Sequence, residues 1–318
     1  MGTIDEIRVG VSSCLLGEEV RYDGGHKRDA FLTRDLARHV RLVPLCPEIE
    51  IGLGVPRETI RLERHGGEVR LVAPASGADH TESMSRFSRA AAERIAAAGL
   101  DGYVLKKSSP SCGMERVKVY DENGSPSPTG RGLFAEALIE RLPLLPLEEE
   151  GRLRDPRLRE RFAERVFGHA RVRRFFAGPW APSALVAFHT AEKLLVRVHD
   201  PPLAVELGRL VAEAGTRPRE EIAVRYAELH ARALARPATP GRHQDVLEHL
   251  AGHVKEEVSG ADRAELQEAI VDFREGIVPL AVPLALLRRH IRAASAQWAA
   301  AQVYLEPAPK DLALRSRL

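Results

Sequence analysis

The sequence predicts two domains, an α/β domain with a mainly parallel sheet over residues 1–150 and an all-α domain over residues 151–318. Up to about residue 150, short β-branched runs alternate with helical patterns, an order typical of a parallel sheet covered on both faces. Beyond residue 152, strand patterns are nearly absent and charged helical patterns follow one another. A length of 318 residues also allows about two domains of ~100–200 residues each.

Four runs in the first half predict strands of the parallel sheet. Pro44 lies in the second of them and indicates an edge strand or a strand end. Two further runs flank Gly66 and Gly67, a pattern that predicts a β-hairpin. The sheet strands are predicted at 7–11, 41–46, 102–107 and 144–147, and the hairpin strands at 59–62 and 68–72.

Helical spacing of apolar residues predicts helices at 28–40 and 132–142. A third helix is predicted from a cap at Asp79, closed by Glu82, to a stop at Gly99. Residues 118–130, which contain a Gly-Ser-Pro-Ser-Pro segment, are predicted to form a loop. The second half contains helical patterns separated by Gly and Pro, at 153–176, 184–197, 203–214, 219–235, 242–258, 260–276 and 283–303.

Charge is divided unevenly between the halves. Residues 1–150 carry 20 Lys and Arg against 24 Asp and Glu, whereas the remainder carries 27 against 21. A basic helical half suggests an anionic partner, with RNA the leading candidate, although such runs are more often solvated helix faces. His249 and His253 are spaced to share a helix face, but no third zinc ligand is evident, which favours a structural or RNA-facing role. The basic run comprises Arg152, Arg154, Arg157, Arg159, Arg161, Arg165, Arg171, Arg173 and Arg174.

The three cysteines are Cys14, Cys46 and Cys112, and each follows a predicted strand. Because the carboxyl ends of parallel strands share one edge, these thiols can converge on one metal centre with a position left open for substrate. Their wide separations match no zinc finger or ribbon. The alternative is that they are small core residues, since free cysteine is commonly buried.

An odd cysteine count argues against a disulfide framework. The sequence has no membrane-length apolar run, and its first residues do not form a signal peptide. These features predict a cytoplasmic protein without membrane contact.

Polar residues near the cysteines are candidates for catalysis. Glu48 follows Cys46 by two residues, so its carboxylate can act as a general base beside an open metal position. The alternative interpretation, favoured when Glu48 is judged without Cys46, is a solvated residue or one at the start of a helix. Ser108, Ser109 and Ser111 precede or adjoin Cys112, where hydroxyls can bind a substrate heteroatom or simply form a turn.

The pattern V-S-S-C-L-L-G, R-Y-D-G, C-P-E and K-S-S-P-S-C-G resembles the thiouracil desulfidase family. The resemblance implies a Rossmann-like domain that holds a [4Fe-4S] cluster on Cys14, Cys46 and Cys112, with a fourth iron free for the substrate sulfur. It also implies Glu48 as the acidic catalytic residue, and Ser109 or Ser108 as the catalytic serine. Phe188, His189, Glu192 and Lys193, with the run Tyr304-Leu305-Glu306-Pro307, resemble a helical companion domain.

The fused form resembles enzymes that remove sulfur from 4-thiouridine in tRNA, which is the leading prediction, with tRNA as the partner. In that reaction Glu48 activates water and sulfur departs as hydrosulfide, so the chemistry is hydrolytic. One alternative is a desulfidase of free thiobases such as thiouracil. Another is a non-catalytic, redox-sensing iron–sulfur protein that binds RNA.

Overall fold

The computed structural model describes residues 6–312 and divides into two compact units. The first ends at Asp155 and is α/β; the second begins at Pro156 and is helical. The predicted fold class is therefore confirmed. Between residues 6 and 312, no helix is both long and apolar enough to cross a bilayer.

From residue 6 onwards, the first unit contains nine strands and three α-helices of different lengths. The strands are β1 (Arg8–Ser12), β2 (Arg41–Leu45), β3 (Arg61–His65), β4 (Glu68–Ala73), β5 (Ala78–Asp79), β6 (Gly102–Leu105), β7 (Val117–Tyr120), β8 (Pro126–Gly130) and β9 (Leu147–Glu149). The helices are α1 (Pro47–Glu50), α2 (Thr81–Ala98) and α3 (Leu133–Arg141).

Strands β1, β2, β6 and β9 form a parallel sheet in the order β2-β1-β6-β9. Strand β2 lies at its edge, as Pro44 predicts. The chain adds β2 on one side of β1 and then crosses to add β6 on the other, so the strand order reverses between β1 and β6. In open α/β sheets this switch point leaves a crevice at the carboxyl ends of the strands, where ligands bind.

Close packing fixes β6 against β1. A Cβ at Gly10 would lie 2.2 Å from the Tyr103 ring, so the absence of a side chain there lets this almost fully buried ring cross β1. Tyr103 in turn meets Phe134 of α3 edge-on, with ring centroids 5.6 Å apart. Burial of each such aromatic contributes about 1.5–3 kcal/mol, so the sheet and α3 are held in one core below the crevice.

The second sheet has the order β5-β4-β3-β7-β8 and includes the predicted hairpin as β3 and β4. The prediction of a loop over 118–130 is wrong, because this segment contributes to the antiparallel pair β7–β8. Strand β8 is an edge strand, where Pro126 and Pro128 are tolerated because they need not donate to a neighbour on the open side.

Two further boundaries differ from the predictions. The helix expected over 28–40 is limited to Phe31–Asp35 and Leu36–Arg38, because Asp29 accepts the Leu32 N–H at 3.0 Å and so starts the turn late. The last strand is Leu147–Glu149 rather than 144–147. The sequence pattern did not predict these bounds, because the two glutamates of the strand are buried where apolar residues are expected. The Glu148 carboxylate accepts a hydrogen bond from Arg152 and the Glu149 carboxylate one from the Met114 N–H, which offsets the cost of burial.

The second unit is built from helices around one apolar core. Its residues Tyr226, Leu247, Leu287 and Tyr304 are fully buried. The pattern predicted over 283–303 is broken by Ser295, whose φ is 49°. The helices are α4 (Pro156–Phe176), α5 (Pro182–His199), α6 (Pro201–Ala212), α7 (Arg219–Leu234), α8 (Pro240–Gly252), α9 (Gly260–Arg274), α10 (Ala281–Ala293) and α11 (Gln297–Ala300).

A buried polar network ties α4, α5 and α7 together. Glu192 is inaccessible to solvent and accepts hydrogen bonds from Arg171, at 2.5 Å to Nε, while its Oε2 lies 3.2 Å from Nε2 of His230. Nδ1 of His189 lies 3.2 Å from the Tyr226 hydroxyl. His189 and Glu192, two of the residues that resemble the helical companion domain, therefore form buried hydrogen bonds between helices of this unit.

Candidate functional site

Six of the residues singled out from the sequence line one cavity of about 390 Å³ at the carboxyl ends of β1, β2 and β6, whereas Ser111 is fully buried and does not line it. This is the crevice expected where the strand order reverses. The six residues are Cys14, Cys46, Glu48, Ser108, Ser109 and Cys112.

Short turns at the strand ends present the first two cysteines. Cys14 lies in the 3₁₀ turn Ser13–Leu15 directly after β1. Cys46 precedes α1, whose first residue is Pro47 and whose free N–H groups at Glu48 and Ile49 donate to the Cys46 sulfur. Backbone donors of this kind offset negative charge on sulfur.

The third cysteine is placed by a loop docked on the start of α3. The Ser111 carbonyl accepts the N–H groups of Phe134 and Ala135, at 2.9 and 3.2 Å. A Cβ at Gly132 would lie 2.4 Å from the Ser111 carbonyl and 2.8 Å from the Cys112 nitrogen, so this close approach requires glycine. Ser12 accepts the Lys106 N–H and donates its hydroxyl to the Cys112 sulfur, linking β1 to the loop.

Burial keeps the free thiols protonated. It raises the pKa of Cys14 to about 11, with a smaller contribution from Cys46, while Lys106 and Arg21 oppose the shift. Burial likewise raises the pKa of Cys46, and raises that of Cys112 well above its usual value. Because thiolates are the metal ligands, loading of a metal group here must release protons.

The thiols do not form a site for a single ion: within residues 6–312, no three His, Cys, Asp or Glu side chains are arranged to hold one. A [4Fe-4S] cluster is a different group, which cysteine thiolates would hold. Three soft sulfur donors at one cavity fit that requirement.

The Glu48 carboxylate contacts three polar side chains. Its Oε2 accepts a hydrogen bond from Nη2 of Arg57. Its Oε1 lies 2.9 Å from the Ser111 hydroxyl and 3.4 Å from that of Ser109. Nothing in the sequence around Arg57 signals this contact, and sequence reasoning missed Arg57 altogether.

The two candidate serines have different environments. Ser109 Oγ accepts the N–H groups of Ser111 and Cys112, at 3.2 and 3.1 Å, and its hydroxyl donates to Glu48 Oε1 at 3.4 Å. Ser108 is exposed and has a left-handed backbone, with φ of 59°. Ser109 therefore differs from Ser108 in its direct contact with the Glu48 carboxylate.

Cationic side chains complete the cavity wall. Nζ of Lys106 lies 2.6 Å from Oε1 of Glu150, whose other oxygen accepts the Lys107 N–H at 2.7 Å. Arg21 pairs with Asp23 at 3.3 Å, and Asp23 also accepts the Gly25 N–H at 3.1 Å. Asp23 is thus a turn residue, whereas Arg21 and Lys106 line the cavity.

The other sequence candidates lie in the helical unit and are engaged there. Arg161 donates to the Ala235 carbonyl, and Arg171 to Glu192 and the Pro307 carbonyl. His249 and His253 pack against Trp298, with ring centroids 5.8 and 4.2 Å from the indole. These contacts give the histidine pair and part of the basic run a structural role.

Comparison with known proteins finds a family match in each half of the chain. Residues 9–150 match the family described as 2-thiouracil desulfurase, and residues 193–309 match DUF1722, a family of unknown function. A solved structure with 32% identity is the [4Fe-4S]-dependent thiouracil desulfidase TudS; the match covers 47% of this chain and 95% of that one, with a TM-score of 0.38.

Two curated bacterial relatives are similar to different parts of the chain. YbgA of Escherichia coli K12 is 26% identical over 152 residues, which is 48% of this chain and 90% of YbgA. YbbK of Bacillus subtilis 168 is 37% identical over 111 residues, which is 32% of this chain and 71% of YbbK. Through its α/β half, this chain belongs to the 2-thiouracil desulfurase family.

Proposed function

We propose that this protein is an iron–sulfur-dependent desulfidase of thiolated pyrimidine bases such as thiouracil. The observation that carries the proposal is the convergence of three cysteines and Glu48 on one cavity, from three different strand ends. The family of residues 9–150 and the similarity to a desulfidase of that substrate support it. The reaction is written as thiouracil and water giving uracil and hydrogen sulfide.

Cys14, Cys46 and Cys112 would hold a [4Fe-4S] cluster, the cofactor in the name of the similar desulfidase. When bound, the cluster supplies an iron without a protein ligand, which attracts the soft substrate sulfur and polarises the carbon–sulfur bond. The protein would be responsible for excluding competing ligands, orienting the base and handling protons.

Glu48 is proposed to take a proton from the water that attacks the thiocarbonyl carbon. The Ser109 hydroxyl would donate to a heteroatom of the base and so orient the ring, because the lone pairs of its oxygen are already used by two backbone N–H groups. The carbon–oxygen bond forms as the carbon–sulfur bond breaks, and the sulfur leaves as hydrosulfide. No electron is transferred overall.

The test is anaerobic reconstitution with iron and sulfide, followed by incubation with 2-thiouracil and 4-thiouracil. We expect the near-ultraviolet absorbance of the thiobase to decline in step with release of sulfide. Cys112→Ala should lose both the visible absorbance of the cluster and the turnover. A reconstituted wild type that releases no sulfide from either thiobase would overturn the proposal.

Glu48→Gln separates the proposed mechanism from the cluster. This substitution keeps the shape of the side chain but removes the base, so we expect the cluster spectrum to persist while kcat falls by about 10²–10⁴. Full turnover by Glu48→Gln would exclude Glu48 as the base. A wild type that keeps its cluster but shows no turnover would instead favour the non-catalytic, RNA-binding alternative.

A second candidate substrate is 4-thiouridine within tRNA, which the excess of 27 basic over 21 acidic residues after residue 150 favours. The comparisons name thiouracil and no RNA, so tRNA ranks second. The two substrates differ in their response to salt, because a phosphate backbone makes binding fall steeply with ionic strength. Turnover of tRNA that falls steeply between 50 and about 200 mM salt, beside constant turnover of the free base, would support the tRNA substrate.

A further inference from the structure

Arg57 is a buried cation that contacts three segments of the cavity wall. Its side chain is only 7% exposed, and Nη2 donates to Glu48 and to the Val20 carbonyl, the latter at 3.0 Å. Nη1 donates to the Gly54 carbonyl at 2.8 Å. The Arg57 backbone N–H donates to the Tyr22 carbonyl at 3.0 Å. The guanidinium therefore joins the 20–22 turn, α1 and the 54–57 segment.

The opposite oxygen of the same carboxylate is held by Ser111. This serine is inaccessible to solvent, and its hydroxyl lies 2.9 Å from Glu48 Oε1. Arg57 and Ser111 thus donate hydrogen bonds to the two different oxygens of Glu48, from different segments of the chain. A carboxylate bound on one oxygen only can rotate, whereas one bound on both has a fixed plane.

We infer that Arg57 and Ser111 are positioning residues that fix the Glu48 carboxylate for its reaction with substrate and water. The inference rests on the proposed function, and it assigns to both residues a role exerted through Glu48, although Arg57 also lines the cavity. Ser111 is sealed off from the cavity, and both terminal nitrogens of Arg57 are committed to protein acceptors.

Positioning matters here because Glu48 is carried by the four-residue helix α1, which is too short to fix a side chain by itself. Displacement of a reacting group by about 1 Å can lower a rate by about 10². Arg57 also bears a cost that an apolar residue would not, since its buried Nε has no hydrogen-bond partner in the described part of the chain. The Arg57 guanidinium therefore makes its contacts with Glu48, Val20 and Gly54 despite this unpaired nitrogen.

Kinetics of reconstituted variants test the inference. For Arg57→Ala we expect the cluster spectrum to persist and kcat for thiouracil to fall by about 10², with KM changed by less than about threefold. Added guanidinium should restore kcat by about tenfold or more, because it refills the site of the lost group. Ser111→Ala should lower kcat in the same direction, without rescue by guanidinium.

Arg61→Ala is the matched control, since Arg61 pairs with Glu63 on β3 and does not line the cavity. It should retain wild-type kcat with or without guanidinium. A kcat unchanged in Arg57→Ala, or a loss that neither guanidinium nor Arg57→Lys restores in part, would overturn the inference. If Arg57→Ala misfolds, the kcat values of Arg57→Lys and Ser111→Ala are compared with that of the wild type instead.

A double-mutant cycle on Tm provides a readout that does not depend on turnover. Breaking a buried ion pair from either side leaves a charge unpaired, so Arg57→Ala and Glu48→Gln should each lower Tm, and the double variant should lose less than the two losses combined. Additive losses would overturn the pairing. A wild type without turnover would instead overturn the proposed function and the catalytic part of this inference, while the cycle still decides whether the pair positions Glu48.

Discussion

Ser111 donates its buried hydroxyl to Oε1 of Glu48 at 2.9 Å, across 63 positions of sequence. Ser109 approaches the same oxygen at 3.4 Å, but it lies at the cavity surface, and its own oxygen accepts two backbone N–H groups. The three serines of this loop, Ser108, Ser109 and Ser111, therefore differ in burial and in their contacts. One serine holds the carboxylate, one lines the cavity, and Ser108 is exposed beside them.

This division predicts different effects of Ser109→Ala and Ser108→Ala. Loss of the Ser109 hydroxyl removes a donor to the substrate and leaves two backbone N–H groups without their acceptor, so kcat/KM should fall by about 10–10³. Ser108→Ala should stay within about threefold of wild type, because the exposed Ser108 hydroxyl makes no such contact. Thiouracil turnover by the two reconstituted variants measures this difference. Equal losses, or a larger loss for Ser108→Ala, would contradict the assignment.

The cysteines could be found from the sequence because each follows a run that predicts a strand. The rule that parallel strands share a carboxyl edge then brings Cys14, Cys46 and Cys112 together without any knowledge of loop geometry. Glu48 follows from its closeness to Cys46. These site residues and the fold class were therefore accessible to periodicity and topology.

Arg57 and Ser12 could not be found in this way, because no local pattern links Arg57 to Glu48, and Ser12 meets Lys106 across 94 positions of sequence. The β7–β8 pair was hidden by prolines that only an edge strand tolerates, and its edge position is a tertiary property. Strand β9 was hidden by its glutamates, whose burial depends on partners such as Arg152. In each case a long-range contact overrides the local pattern.

Gly132→Ala should disturb the cysteine cavity from a distance. The added Cβ would lie 2.4 Å from backbone atoms of Ser111, which cannot give way as a flexible side chain can, so the loop carrying Cys112 must shift. We expect a stability loss of about 1–3 kcal/mol and weaker retention of the cluster. Thermal unfolding and the cluster absorbance after gel filtration measure the two effects.

Gly178→Ala is the control for that substitution, since its Cβ would have no atom within 4 Å. It should leave both readouts at wild-type values. A Gly132→Ala protein that keeps its stability and cluster would show that the 108–113 loop adapts to the extra methyl group.

Glu192→Gln should destabilise the helical unit strongly. Because Glu192 is fully buried between Arg171 and His230, these partners keep its pKa low, at about 2, and its removal leaves the guanidinium charge unpaired. Breaking a buried pair in this way costs about 3–5 kcal/mol. Glu213→Gln, which removes an exposed ion pair with Arg217, should cost less than about 1 kcal/mol.

Fluorescence isolates this effect, because both tryptophans, Trp180 and Trp298, belong to the helical unit. Urea unfolding followed at their emission should show the large shift for Glu192→Gln alone. Equal shifts for the two variants would mean that the buried pair adds no more than a surface pair does.

His189 should make the stability of the helical unit depend on pH. Burial, with Lys193 and His230 nearby, lowers its pKa from 6.5 to about 4, so the unfolded chain binds a proton more readily than the folded one. Stability is therefore complete above pH 6.5 and falls as the pH drops towards 4, by on the order of 3 kcal/mol in all. His189→Gln cannot titrate but can still meet the Tyr226 hydroxyl, so its unfolding free energy, followed by tryptophan emission, should fall less steeply across this range. Parallel curves for the two proteins would mean that His189 is protonated equally in the folded and unfolded states.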